Sequence, residues 1–263
     1  MLAQPPRNSE KSAFSLVELL VIIAAIALLA TLRLSALAPA EVKAHRLGCL
    51  NNLKQLGLGS MMYANDSQGH YSGHTWLPGE LGNVPPGGAT DRSGSDDDLN
   101  WLYPRYVKST RSFVCPSTQN YIRTNLVTKP TGGVALVDLC KNGATLQSAG
   151  TSYEVSGNFT LRMTGMAITT KKKEDTVNAF TIGAYVRALG MKPGPSRVFL
   201  IMDADDTLPG VGTDANDWPD NPADNHGAAG ANFSFCDGHA QWVRQNEFME
   251  VWNISQDSNR SSP

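Results

Sequence analysis

Apolar positions are spread very unevenly along this chain. Phe14 to Leu32 is a run of 19 residues that is apolar except at Ser15, Glu18 and Thr31. A helix rising about 1.5 Å per residue covers roughly 28 Å over that length, close to the hydrocarbon thickness of a bilayer. From Leu32 to about Asn65 the helical pattern continues but turns amphipathic. Leu50, Leu53, Leu56, Gly57, Ser60 and Ala64 recur at three- and four-residue spacings, with Asn51, Asn52, Lys54 and Gln55 between them. Pro39 is expected to kink or interrupt this helix, since it lacks an amide donor and clashes with the preceding turn. Gly57 and Gly59 are expected to weaken it near its end.

Beyond the helix, residues 66–100 read as a loop or linker rich in Gly and Pro, with Asp96, Asp97 and Asp98 as a solvated turn. Leu99 to Val107 predicts a short helix anchored by aromatic residues, and Phe113 to Ser117 a strand ending at Pro116. Val134–Asp138 and Ser152–Phe159 are further strand candidates, and Lys171, Lys172 and Lys173 read as a loop tip. Val198 to Met202 is apolar with little alternation, which predicts a strand buried on both faces. Ala231–Cys236 and His239–Val243 flank Asp237-Gly238, a strong signal for a two-residue hairpin turn, with Phe233 and Phe235 on one face. The expected class is α+β: a long N-terminal helix, half membrane-spanning and half amphipathic, packed on a C-terminal antiparallel β-sheet domain.

Composition narrows the function classes. The formal net charge of −2 carries no nucleic-acid footprint. With 24 Gly and 15 Pro, the chain favours a loop-rich α+β or β domain over a helical bundle. Cys49, Cys115, Cys140 and Cys236 are widely spaced with no CxxC pair, so spacing lends poor support to a zinc site. Arg7 and Lys11 precede the apolar run, which places the segment after it on the exported side. Disulfides are permitted there. Sequence does not choose among the three pairings; Cys115–Cys140 is the most local, and four free buried thiols is the other reading.

The order of parts at the N-terminus is informative. A short polar leader ends in Ala13, before the apolar run, and is followed by Phe14, Ser15, Leu16 and then Glu18. An acid inside an apolar span costs on the order of 3 kcal/mol in lipid, which marks Glu18 as functional. The arrangement resembles the type IV prepilin and type II secretion pseudopilin signature, Gly-Phe-Thr-Leu-x-Glu. It matches at Phe14, Leu16 and Glu18, nearly matches at Ser15, and departs at Ala13, where that family usually has Gly. Cys49 to Leu58 and Phe113 to Ser117 also resemble segments of a large bacterial pseudopilin-like family. His226 with Asp237-Gly238 resembles a C-terminal His-x9-Asp-Gly motif, although ten residues separate the two parts here.

The resemblance implies a pilin-like fold with a leader over 1–13, an N-terminal helix over 14–65 whose residues 14–32 are transmembrane, and a periplasmic or extracellular globular domain over 66–263. It implies cleavage between Ala13 and Phe14 by a prepilin peptidase and N-methylation of Phe14. Assembly would run through Phe14 and Glu18, the acid pairing with a neighbour's terminal ammonium. The implied partners are that peptidase, other pilin or pseudopilin subunits and the inner membrane. The implied location is a single-pass inner-membrane protein with its C-terminal domain in the periplasm, or in an extracellular filament. An ordinary signal peptide cut after Ala36, Ala38 or Ala40 is the competing reading.

Two stretches carry candidate chemistry. Asp203, Asp205, Asp206, Asp214, Asp217, Asp220 and Asp224, with the Asn residues among them, offer hard oxygen ligands at a density suited to Ca²⁺, without an EF-hand's fixed spacing. A hydrophilic surface loop is the alternative. His226, Asp237 and His239 make the best enzymatic case, a metal or acid–base cluster. No nucleophile elbow, HExxH, Walker or dinucleotide motif accompanies them. The sequence therefore reads as a structural subunit and not an enzyme; a membrane-tethered ectodomain with a glycan-binding or hydrolytic role is the alternative.

Overall fold

A computed structural model describes residues 15–73, 99–128, 134–140, 149–163, 166–204, 218–219 and 225–261; the side chains at 30–38, 127, 140 and 160–170 lie outside that description. Helix α1 spans Leu16–Asp66. Short strands β1 (Leu126–Thr128) and β2 (Val134–Leu136) pair antiparallel. They are followed by β3 (Tyr153–Val155), β4 (Asn158–Met163), β5 (Met166–Lys171), α2 (Glu174–Ala179), β6 (Phe199–Asp203), β7 (Gly230–Phe235), β8 (Ala240–Arg244) and α3 (Gln245–Gln256). The protein is α+β. Its main sheet is four-stranded and antiparallel in the order β3-β6-β7-β8, and β4-β5 form a separate hairpin.

The chain divides into two compact units, Met1–Ala44 and His45–Pro263, so the boundary falls inside α1. In the first unit the described apolar side chains are all exposed, from Leu16 through Leu29, and Glu18 lies in the first helical turn. Among the described residues no helix is long and apolar enough to cross a membrane; the side chains of α1 are described up to Leu29 and again from Pro39. Helix α1 continues through Pro39, so of the expected kink or interruption the interruption does not occur. A proline removes a single ladder bond, and the neighbouring turns hold the helix.

In the second unit the amphipathic reading holds. Leu53, Leu56, Ser60 and Ala64 are buried, while Asn51, Lys54 and Gln55 are exposed. Gly57 and Gly59 serve close approach. A Cβ at Gly57 would lie 2.2 Å from Ser234 Oγ, and one at Gly59 would lie 2.9 Å from Val107 Cγ2. Both faces of the sheet are covered. Phe199, Met202, Phe233, Phe235 and Val243 share one core with Phe248 of α3, whereas Leu200 and Ile201 belong to the other core with Leu53 and Leu56. The register shift between Phe199 and Ile201 lets two successive residues face the α1 side. That double coverage explains the apolar run without alternation.

Several local expectations are corrected. Residues 113–117 form no strand: a 3-10 turn, Thr110–Phe113, takes up the first of them, and Asn52 Nδ2 of α1 donates to Val114 O at 2.8 Å where a strand partner would. Ser152–Phe159 is not one strand but the whole of β3 and the start of β4, which lie in different sheets. Leu99–Val107 is a series of turns that buries Leu99 and Leu102, with Pro104 lacking the amide a helix would use. The β7–β8 connection has three residues, Cys236, Asp237 and Gly238, since Phe235 pairs with His239; Gly238 takes a φ of 80°. Lys172 is no loop tip: it is completely buried.

Candidate metal centre

Four residues from four distant segments converge below the end of β6. Cys49 comes from α1, Cys115 from the segment after the first 3-10 turn, Asp203 from the last position of β6, and His226 from the residue before a short 3-10 turn, Gly227–Ala229, that leads into β7. One ligand atom of each lies within 4.8 Å of all the others. Local sequence explains their inward aim. Cys49 sits four residues before Leu53 and seven before Leu56, on the buried stripe of α1. Asp203 ends a strand whose residues are all buried. Both cysteines are 0% exposed, and the side chains of His226 and Asp203 are 4% and 3% exposed.

The contacts are specific. The Cys49 thiol donates to Asp203 Oδ1 at 2.8 Å and lies 3.4 Å from Tyr153 Oη. Cys115 Sγ is 3.6 Å from His226 Nε2, and that nitrogen is 3.5 Å from Asp203 Oδ2. Around this ring a second set of groups fixes orientation. Ser117 Oγ meets His226 Nδ1 at 3.1 Å, and the Ser117 N–H donates to Cys115 Sγ at 3.4 Å. Asp203 Oδ2 accepts the Asn232 backbone N–H at 2.6 Å and its Nδ2 at 3.0 Å, while Asn225 Nδ2 donates to Oδ1 at 3.3 Å. Asn232 Nδ2 also reaches His226 Nε2 at 3.0 Å. The imidazole packs edge-on against Trp242, whose ring carries the Arg46 guanidinium 4.5 Å from its centroid.

Burial works against a charge on Cys115, but hydrogen bonds from Cys49 and His226 outweigh it and bring this thiol down to about 6. Cys49 is pushed the other way, by burial first and then by Cys115 and the Asp203 charge. For His226, burial disfavours the imidazolium, yet the hydrogen bond to Cys115 and the Asp203 charge raise its pKa on balance. A thiol beside an imidazole is the pairing of a cysteine nucleophile and its base. Both sulfurs are buried, and a buried set of two thiols, an imidazole and a carboxylate is suited to coordination.

The sequence-predicted site residues are divided by the structure. Asp203 faces thiols and an imidazole, so it belongs to a softer donor set than the calcium loop foresaw. Asp205, Asp206, Asp214, Asp217, Asp220 and Asp224 lie outside the described residues. Ala13 and Phe14 do as well. Cys115 is a free thiol facing Cys49 and His226, so it is not engaged in the candidate Cys115–Cys140 pairing; the Cys140 side chain lies outside the described residues. His226 does not join Asp237 and His239. Those two pair with each other on the exposed hairpin, His239 Nδ1 at 2.5 Å from Asp237 Oδ1, while His226 is buried among Cys115, Ser117 and Asn232.

No protein-family model, curated protein or solved structure matches this chain. The four-residue cluster was invisible to spacing rules, because its members stand far apart in the chain. The signals that could have found it are positional: a cysteine in register with the apolar stripe of a helix, and an aspartate ending an all-apolar strand.

Proposed function

We propose that the chain is a pseudopilin-like structural subunit of a type II secretion or type IV pilus-type filament, processed by a prepilin peptidase and held in the inner membrane. The supporting observation is the start of α1. The helix begins at Leu16, directly after the Ala13-Phe14 junction, with Glu18 in its first turn and large apolar side chains exposed from Leu16 to Leu29. Exposed apolar side chains in such number need lipid or neighbouring subunits to cover them. A carboxylate at the head of that surface is costly in lipid and would gain a partner where another subunit's terminal ammonium meets it. The globular unit would then project into the periplasm or onto a filament surface.

N-terminal mass spectrometry of the mature protein tests this reading. The expected start is N-methylated Phe14. A start after Ala36, Ala38 or Ala40 would make the segment an ordinary signal peptide, and an uncut leader would leave a tethered ectodomain; either overturns the proposal.

A further inference from the structure

We propose that Cys49, Cys115, Asp203 and His226 form a closed, four-ligand zinc site that fastens the second half of α1 to the end of the central strand β6. Two sulfurs, one imidazole nitrogen and one carboxylate oxygen make a set that Zn²⁺ accepts in tetrahedral geometry. With bonds of about 2.0–2.3 Å, the edges of such a tetrahedron run about 3.3–3.8 Å. Cys115 Sγ to His226 Nε2 at 3.6 Å and His226 Nε2 to Asp203 Oδ2 at 3.5 Å already lie in that range. The 2.8 Å contact from Cys49 to Asp203 is a thiol hydrogen bond, and it lengthens when the metal replaces the proton. All four ligands come from the protein, and none of their side chains is more than 4% exposed, the closed form of a structural site and not of a catalytic one.

The surrounding hydrogen bonds fit the same role. Ser117 holds Nδ1, which leaves Nε2 turned toward the sulfurs. Asn232 and Asn225 fix the carboxylate, and the Ser117 amide supports Cys115 Sγ. A Cys49–Cys115 disulfide would use two of the four groups. It would leave an imidazole and a carboxylate, each held by its own partners, aimed at a bridge that binds neither. The inference is independent of the filament reading, since it concerns how the globular unit is tied together and not what covers the first half of α1.

The test uses the full chain, reduced, stripped with chelator and titrated with Co²⁺ as a spectroscopic stand-in. One equivalent should bind with the ligand-field absorption of a tetrahedral site and a sulfur-to-cobalt charge-transfer band, and Zn²⁺ should displace it. Ser117→Ala, outside the ligand set, should weaken binding by roughly 10–100-fold while the protein stays folded. Cys115→Ser should lose about half of the charge-transfer intensity, since one of the two sulfur–cobalt bonds remains. Zinc should raise the melting temperature of the stripped protein by on the order of 10 °C. Folded, reduced protein that binds no stoichiometric cobalt overturns the proposal. So does protein isolated from its own compartment with a mapped Cys49–Cys115 disulfide and no zinc.

Discussion

Lys172 follows the last residue of β5 and is completely buried. Its Nζ donates to Phe199 O at 2.7 Å and Ser156 Oγ at 3.0 Å, and lies 4.9 Å and 5.5 Å from the ring centroids of Phe199 and Phe159. Burial lowers its pKa from 10.5 to about 7, with the nearby Cys236 pulling the other way. Each tenfold change in proton affinity is about 1.4 kcal/mol. The whole shift therefore corresponds to at most roughly 5 kcal/mol, an upper bound because the carbonyl and the two aromatic faces favour the ammonium. The sign follows from proton counting. Between pH 7 and 10.5 the unfolded chain holds this proton and the folded protein does not, so unfolding takes a proton up and stability rises with pH. Below pH 7 both states are protonated and the penalty is carried in full.

Urea denaturation of the wild type and Lys172→Met across pH 6.5–10 reads this directly. The contributions of Cys115 and Cys49 are common to the two proteins, and burial pushes the neighbouring Cys236 thiol up to about 12, so it stays protonated across the window; the difference between the curves therefore reads Lys172. The wild type should gain stability relative to the variant as pH rises, with a limiting slope of about 1.4 kcal/mol per pH unit. The variant should be the more stable of the two at the acid end. Parallel curves would show that Lys172 keeps its ordinary proton affinity, and the argument from burial would fail.

Two other perturbations probe other links. Gly57→Ala drives a methyl to 2.2 Å from the buried Ser234 Oγ and should cost about 1–3 kcal/mol in chemical denaturation; Ser234→Ala in the same protein should recover most of it, because the next contact, Gly238 at 3.4 Å, is ordinary packing. Under the filament proposal, Glu18→Leu should leave the globular unit as protease-resistant as wild type while assembly fails in a crosslinking or shear assay, since an unpaired buried ammonium costs about 3–5 kcal/mol per interface. Normal filaments from that variant would refute the role assigned to Glu18.

What the sequence made legible was what period and local turn chemistry encode. The stripe through Leu53, Leu56, Ser60 and Ala64 is buried as its spacing requires, the run from Phe199 to Met202 is buried on both sides, and the Asp237-Gly238 turn joins two strands. Failures came where a distant group replaced the local partner. Val114 extends but finds its hydrogen bond on Asn52 of α1, 62 residues away, so an apolar segment with strand propensity forms no strand. Lys172 sits in a basic triplet, a surface pattern by composition, yet β5 carries it inward to the carbonyl of Phe199. The metal cluster is the extreme case. A zinc ribbon writes its ligands in pairs because a local turn holds them, whereas here packing of α1 against β6 does that work. Each ligand takes its aim from a particular feature: the helix stripe for Cys49, the strand end for Asp203, and the two Ser117 hydrogen bonds for Cys115 and His226. No window of sequence contains such a site. It exists only once the core has formed, so a metal bound there should stabilise the assembled packing of α1 on the sheet more than any single element.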